Sequence, residues 1–490
     1  MMEAYRKAFV YVREDFAGTL METDYGYSFA YDEEYLRSDN AAAVSLTLPL
    51  QSEEFRSKTL FSFFDGLIPE GWLLDIVIKN WKLSYKDRFG LLLAACKDPI
   101  GCVSIRSGLD TVPQENEPAA PSESHAQSVA FIGLTSCLCC GKPLAETKSQ
   151  AGWHDRCIKK FFGTSSMPYI DISEEVLDRL AQDSTDRGLT VPGVQKKLSL
   201  HLTEGREPRL TLVNYPTGYI LKPQTEEYPA LPEMEYLVMR MAQATKISTV
   251  PFALVKSAQN TFAYITKRID RVRTKNNEGR RMNASVHSAP DVCFHRQRVG
   301  DFAAQKQQTN AFSMLAMEDF CQLDGRLTED KYRGSYERCG KLVTGYSAAS
   351  GADLAELFLR VVFSFAVGNS DMHLKNFSLI EGKESSGEFT LSAAYDMLSA
   401  NVVLPSDKEQ LALTLNGKKQ NIRRKDFLIF AETIGLPTAS AERLIQRVVA
   451  MREEYLSMCE NSYLPEDMKQ ELVRLIGERM AVLEKRRAEG

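Results

Sequence analysis

The chain opens with strand-like segments. KAFVYVR and YSFAYD read as short strands, and SLTLPL, with its strict alternation of apolar and polar positions, reads as a third. SKTLFSFFDGLIPEGWLLDIVIKNWKL is helical in character and is interrupted by a Pro-Glu-Gly turn. DRFGLLLAAC predicts a further helix and GCVSIRSG a closing strand. The first block, 1–108, is therefore expected to be a small α+β unit.

Residues 109–130 are rich in Pro, Ser, Glu and Gln and read as a linker. A compact piece follows at 131–165. From there KLSLHL, RLTLVN and GYILKP predict a meander, MEYLVMRMAQAT an amphipathic helix, and FALVKS with TFAYITKRID a hairpin, within a block 166–312. Its end, 272–310, is polar and basic with little periodicity, and reads as a long insertion carrying Arg280, Arg281, Arg296 and Arg298. The remainder, 313–490, predicts helices over 353–368, 425–435, 440–460 and 465–487. The expected fold class is α+β: the small unit first, then a two-lobed domain with a mixed-sheet N-lobe, an all-helical C-lobe and a cleft between them.

Composition narrows the class. With 44% apolar and 26% charged residues and a net charge of −5, the chain has a globular composition and is not a generally basic nucleic-acid binder. No window approaches the ~20 apolar residues of a membrane span. MMEAYRKAFVYVRED has no long apolar run, so a cytoplasmic location is expected. Ten cysteines in 490 residues do not make a disulfide scaffold.

The chemistry concentrates in VGNSDMHLKNFSLI, residues 367–380, polar in the middle and apolar at both ends. Asp371 and Asn376 have the D-x-x-x-x-N spacing that phosphoryl transfer uses, with the Asp taking the acceptor's proton and the Asn reaching a metal ion. The same spacing suits a loop whose Asp and Asn cap a turn. Asp396, in LSAAYDMLSA, is a lone carboxylate among apolar residues and suits a magnesium ion or a helix cap. Lys222 ends an apolar strand, aimed at phosphates or snorkelling at a sheet edge. Glu235 on the following helix would pair with it or stay exposed. Gly193, in GLTVPGVQKKLSL, permits close approach of backbone N–H groups to phosphate.

A second constellation is Cys137-x2-Cys140, thirteen residues, then His154-x2-Cys157. Three thiolates and an imidazole at this spacing predict a tetrahedral zinc site with no position left for water, hence a structural one. Cys139 is then a spare thiol, although a different pairing through Cys139, or a cluster of reduced thiols, satisfies the spacing too.

Taken in order, TVPGVQKKLSL, YILKP, PEMEYLVMRMA, TKRIDR, AMEDFCQ, VGNSDMHLKNFSLI and YDMLSA resemble the HipA family, serine/threonine kinases that act as toxins of bacterial type II toxin–antitoxin modules. FDGLIPEGW and DRFGLLLAACKDPIGCVSI resemble the family's N-terminal subdomain. The resemblance implies ATP and magnesium as cofactors, Asp371 as catalytic base with His373 supporting the loop, Asn376 and Asp396 as magnesium ligands, and Lys222 at the phosphates. Gly193 and Gln195 would form the phosphate turn, Glu235 the lysine's partner, and Arg268, Ile269 and Asp270 the hinge, with Asp270 at the ribose. It implies autophosphorylation as an off-switch, at Thr190, where the family has serine; Ser199 is a second candidate. It further implies a small helix-turn-helix antitoxin as partner, DNA contact through that complex, and an aminoacyl-tRNA synthetase as target. A silent pseudokinase and a stand-alone signalling kinase are the alternatives. Some HipA-like chains begin their kinase part with a similar cysteine piece.

Overall fold

The computed structural model describes residues 5–108, 134–144, 149–170, 174–188, 190, 192–193, 195–203, 210–211, 218–256, 261–273 and 312–484. The expected linker and the four arginines of the basic insertion lie outside the described residues.

The N-terminal unit is a five-stranded antiparallel sheet of β1 (Lys7–Val12), β2 (Asp15–Thr23), β3 (Gly26–Tyr31), β4 (Phe55–Ser57) and β5 (Val103–Arg106), ordered β4-β3-β2-β1-β5. Ala8, Val10 and Val12 alternate inward and meet Leu20, Phe29 and Ile105 in a core of the unit's own. Its helices are α1 (Glu33–Leu36), α2 (Ser62–Leu67), α3 (Gly71–Trp81) and α4 (Arg88–Ala95). The Pro69–Glu70 pair separates α2 from α3 as the turn signal predicts. SLTLPL is not a strand. Ser45 and Leu48 bridge each other, while the Ser45 hydroxyl and Leu46 N–H donate to the buried Glu318 of the C-lobe, so this backbone is spent on docking.

The N-lobe carries a short hairpin, β6 (Ser149–Gln150) and β7 (Trp153–His154), then α5 (Asp155–Phe162) and α6 (Glu174–Arg187). Its main sheet has β8 (Leu198–Leu202), β9 (Leu210–Thr211), β10 (Tyr219–Pro223), β11 (Phe252–Lys256) and β12 (Phe262–Lys267), ordered β11-β12-β10-β8-β9. The expected simple meander is thus corrected: β10 pairs directly with β8, and β9 folds back to the outer edge. Helix α7 (Leu231–Ala244) packs on β11 and β12. The cysteine piece is not a separate body. Leu138, Trp153, Ile158 and Phe161 share one core with this sheet, and the Trp153 indole donates to the Leu254 carbonyl at 3.0 Å.

The C-lobe is built around the buried helix Ser350–Val367, with Tyr336–Tyr346, Arg424–Thr433, Thr438–Val449, Arg452–Glu460 and Glu466–Glu484 about it. It is not all-helical. After the two-stranded pair β13 (Arg271–Arg273) and β14 (Phe312–Met314) comes an antiparallel sheet of β15 (Met317–Asp319), β16 (Ser378–Glu381) and β17 (Phe389–Leu391). The chain leaving the polar run stays extended and finds its partner in the strand of AMEDFCQ. The single helix expected over 440–460 is two helices, broken at Ala450–Met451. Among the described residues no helix is long and apolar enough to cross a membrane.

Candidate active site

Helix Ser350–Val367 ends at Gly368, whose φ of 70° is the left-handed conformation that stops a helix. A Cβ there would also meet Leu475 Cδ2 at 2.7 Å, so glycine is required twice over. The chain then turns through the polar run. The Asn376 side-chain amide donates to the Asp371 carbonyl at 2.8 Å, which closes the loop on itself. Phe377, buried, returns the chain to the core. Burial raises the Asp371 pKa above its usual value, opposed by a hydrogen bond from the Tyr332 hydroxyl to Oδ1 at 2.5 Å. His373 is buried too. Burial and the neighbouring Lys331 and Lys375 ammoniums push its pKa well down, so it is a neutral support of the loop.

The N-lobe supplies the opposite wall. Lys222 on β10 lies 2.6 Å from Glu235 on α7 and 2.5 Å from Asp396. Neither Lys222 nor Glu235 reaches solvent, which excludes the snorkelling lysine and the exposed helix charge. Asp396 does not cap a helix, since the next one starts at Ala400 with Ser399 before it. It adopts φ 54°, a conformation costly for a non-glycine residue and characteristic of functional sites. Desolvation opposes ionisation of Asp396, yet the Lys222 and Lys197 ammoniums hold its pKa down at about 2. Glu235, more deeply buried, is pushed up to about 7 by desolvation, against the pull of Lys222. Asp396 is the ionised carboxylate of the two, because both Lys222 and Lys197 face it.

Gly193 sits at φ 129°, a conformation that favours glycine, and the Lys197 ammonium lies directly against it. Gln195 lines the same cleft with a buried amide nitrogen that has no partner among the described residues. These groups, with Lys222, Ile269, Asp371, Asn376 and Asp396, surround one cavity of about 760 Å³ between the lobes. The expected phosphate turn, lysine, loop and metal residues are thus brought together.

Two of the expected residues are held by contacts that the sequence did not foretell. Asp270 is fully enclosed by Arg268 and Arg271, at 2.6 and 2.7 Å from its Oδ2, which also accepts from Gly101 N at 2.8 Å. Burial would raise its pKa, but the two guanidiniums bring it to about 2. Its carboxylate ties the hinge to the N-terminal unit, while the residue also lines the cleft. Arg268 is spent on the same tie, through Asp270 and the Pro99 carbonyl. Thr190 lies outside the cleft lining, buried, with its hydroxyl donating to the Ala95 carbonyl of α4 at 2.8 Å. Ser199 is buried on β8.

Lys375, the lysine of the polar run, donates to the Gly66 carbonyl at 3.1 Å. The sequence reading passed over three cleft residues. Lys197 follows the Gly193 turn closely. Glu70, from the PEGW turn of the N-terminal unit, bonds Lys331 at 2.6 Å. Tyr332 caps Asp371. Adjacency to the Gly193 turn could have found Lys197; no local pattern marks the others, which meet across more than 250 positions of chain or through a single loop.

The cysteine cluster forms as its spacing predicts. The ligand atoms of Cys137, Cys140, His154 and Cys157 lie within 4.8 Å of one another. Tetrahedral zinc with ~2.3 Å bonds to sulfur separates its ligands by about 3.8 Å, so the donor set fits. His154 presents Nδ1 to the cluster and its Nε2 is 3.0 Å from the Pro143 carbonyl, the outer contact that fixes a ligating tautomer.

The HipA-like C-terminal domain family matches residues 189–455, more than half of the chain, and the HipA N-terminal domain family matches residues 8–106. The chain belongs to the HipA family. Y4mE of Sinorhizobium fredii, which bears a kinase name, is 25% identical over 428 residues, covering 86% of this chain and 84% of that one. A Haemophilus influenzae protein is 31% identical over 106 residues, 22% of this chain but 96% of its own length. The Shewanella oneidensis HipA toxin, solved with HipB and its operator DNA, shares the fold with a TM-score of 0.60 at 17% identity, over 97% of this chain and 96% of that one.

Proposed function

We propose that this HipA-family chain is a serine/threonine protein kinase that uses ATP and magnesium. The observation that carries the reading is the Lys222–Glu235–Asp396 constellation facing Asp371 and Asn376 across one cavity. Lys222 is placed to meet nucleotide phosphates, held by Glu235. Asp371, in its ionised form, accepts the proton of the attacking hydroxyl. Asp396 and the Asn376 amide oxygen form a hard oxygen donor set suited to magnesium, which when bound neutralises phosphate charge. The Gly193–Gln195 turn covers the phosphates, and the backbone at Arg268 and Ile269 is the hinge.

The toxin reading follows from family and fold. A HipB-like helix-turn-helix antitoxin is the proposed partner, with DNA bound through that complex, and an aminoacyl-tRNA synthetase the proposed target. Thr190 is the proposed autophosphorylation site. Its hydroxyl must first leave Ala95, so the off-switch requires the Gly193 loop to detach from the N-terminal unit. Zinc at Cys137, Cys140, His154 and Cys157 is proposed as a structural ion. The test is growth after induction of the wild type and of Asp371→Ala. Arrest by the wild type alone supports a toxin kinase. Arrest by neither, with nucleotide still bound, favours the silent regulator.

A further inference from the structure

Tyr332 lines the cleft and has no part in the machinery above. Its hydroxyl donates to Asp371 Oδ1 at 2.5 Å. It is the only hydrogen bond made to that carboxylate among the described residues. The distance and polarity are those an acceptor hydroxyl must adopt to give its proton to the base. The ring stands edge-on to buried His373, centroids 4.9 Å apart at 86°. Lys331, next in chain, is anchored to Glu70, so the loop is fixed on one side. The residue is nevertheless 42% exposed, so its ring faces solvent on the other side and has room to swing out. A tyrosine that only filled the core would be enclosed, and one that only solvated the surface would not reach a half-buried carboxylate in the cleft.

We propose that Tyr332 is the gate of the acceptor site: its phenol holds the place of the substrate hydroxyl on Asp371 and leaves only when a protein acceptor displaces it. This deepens the kinase reading and rests on it. The consequence is protection of ATP. While the phenol sits on Asp371, water cannot take the acceptor's place, and the γ-phosphoryl group is not lost to hydrolysis. A serine or threonine presented on a folded surface brings enough contact to exchange with the phenol; a lone water does not.

The test is ADP release from ATP and magnesium by the purified full chain with no protein acceptor, comparing wild type, Tyr332→Phe, Asp371→Asn and the double variant. The gate predicts that Y332F, which keeps the ring and its packing on His373, raises release roughly tenfold, the factor that one hydrogen bond to a charged group corresponds to. Adding Asp371→Asn removes the gain. ATP affinity stays at the wild-type value. Unchanged or reduced release by Y332F, in protein whose wild type turns over, overturns the gate and leaves Tyr332 a positioning residue. Phosphate found on Tyr332 itself overturns it in favour of an internal acceptor. Turnover by none of the four proteins overturns the gate where the wild type still transfers label from γ-labelled ATP to protein; where that transfer is absent as well, the kinase reading falls and the gate with it.

Discussion

Lys222 and Glu235 meet at 2.6 Å with no solvent between them and outside water, one from a strand and the other from a helix. That pair fixes where α7 sits relative to the sheet. Glu235→Gln keeps the shape but removes the charge, and the hydrogen bond to a charged partner is worth about 1.5–3 kcal/mol. The expected result is a tenfold or larger loss in kcat/KM for ATP, with Lys222 drawn wholly onto Asp396. Steady-state phosphorylation assays check it; an unchanged kcat/KM would show that the pair only packs.

The hinge tie predicts a pH signature. Asp270 is held at about 2 by Arg268 and Arg271, below its ordinary 3.8. A carboxylate with a depressed folded pKa adds stability that is present above about pH 4 and is lost as pH falls toward 2. Denaturant melts between pH 7 and 2.5 should show that loss, and Asp270→Asn should flatten it. The variant should also cost on the order of 3–5 kcal/mol at neutral pH, because it strands buried guanidiniums. An acid limb identical to the wild type's would remove Asp270 from the account.

The base gives a second profile, in activity. Burial raises Asp371 despite the Tyr332 hydrogen bond. Phosphoryl transfer needs the ionised form, so kcat/KM should rise with pH through an inflection above that of an ordinary aspartate. An inflection at an ordinary aspartate pKa, or none, counts against Asp371 as base.

Metal removal should loosen the N-lobe. The cluster's backbone is bonded to the sheet through Leu138 and Leu254, at 3.0 Å, and Gly141 packs under Arg240 of α7. Chelation, or Cys140→Ser, should lower the melting temperature and expose β11 and α7 to hydrogen exchange. Elemental analysis of the purified chain should find stoichiometric zinc. A full-length chain without metal and with an unchanged melt contradicts this.

Much of this was legible in the sequence, and unevenly. The D-x-x-x-x-N run and the Cys3His spacing are local: their residues lie close in chain, so spacing alone reports geometry. Lys222, Glu235 and Asp396 were legible as candidates because each is a charge in an apolar setting, but their convergence is tertiary. SLTLPL misled because its alternation matches a strand, while its polar groups are taken by Glu318 across the unit boundary. The C-lobe sheet was missed because FSLI and the strand of AMEDFCQ are too short to outweigh their helical neighbours. The enclosure of Asp270 was not legible because family position cannot report that two arginines surround it. Tyr332 carries no pattern at all.

The central claim is that Asp371 drives transfer of a phosphoryl group. The most direct measurement is transfer of label from γ-labelled ATP, with magnesium, to the chain itself and to a bacterial protein extract, by wild type and by Asp371→Ala purified in parallel. The account predicts labelled protein with the wild type, mapping to serine or threonine, and none with the variant although both bind nucleotide. Equal labelling by the two, or none by the wild type with nucleotide bound, contradicts it.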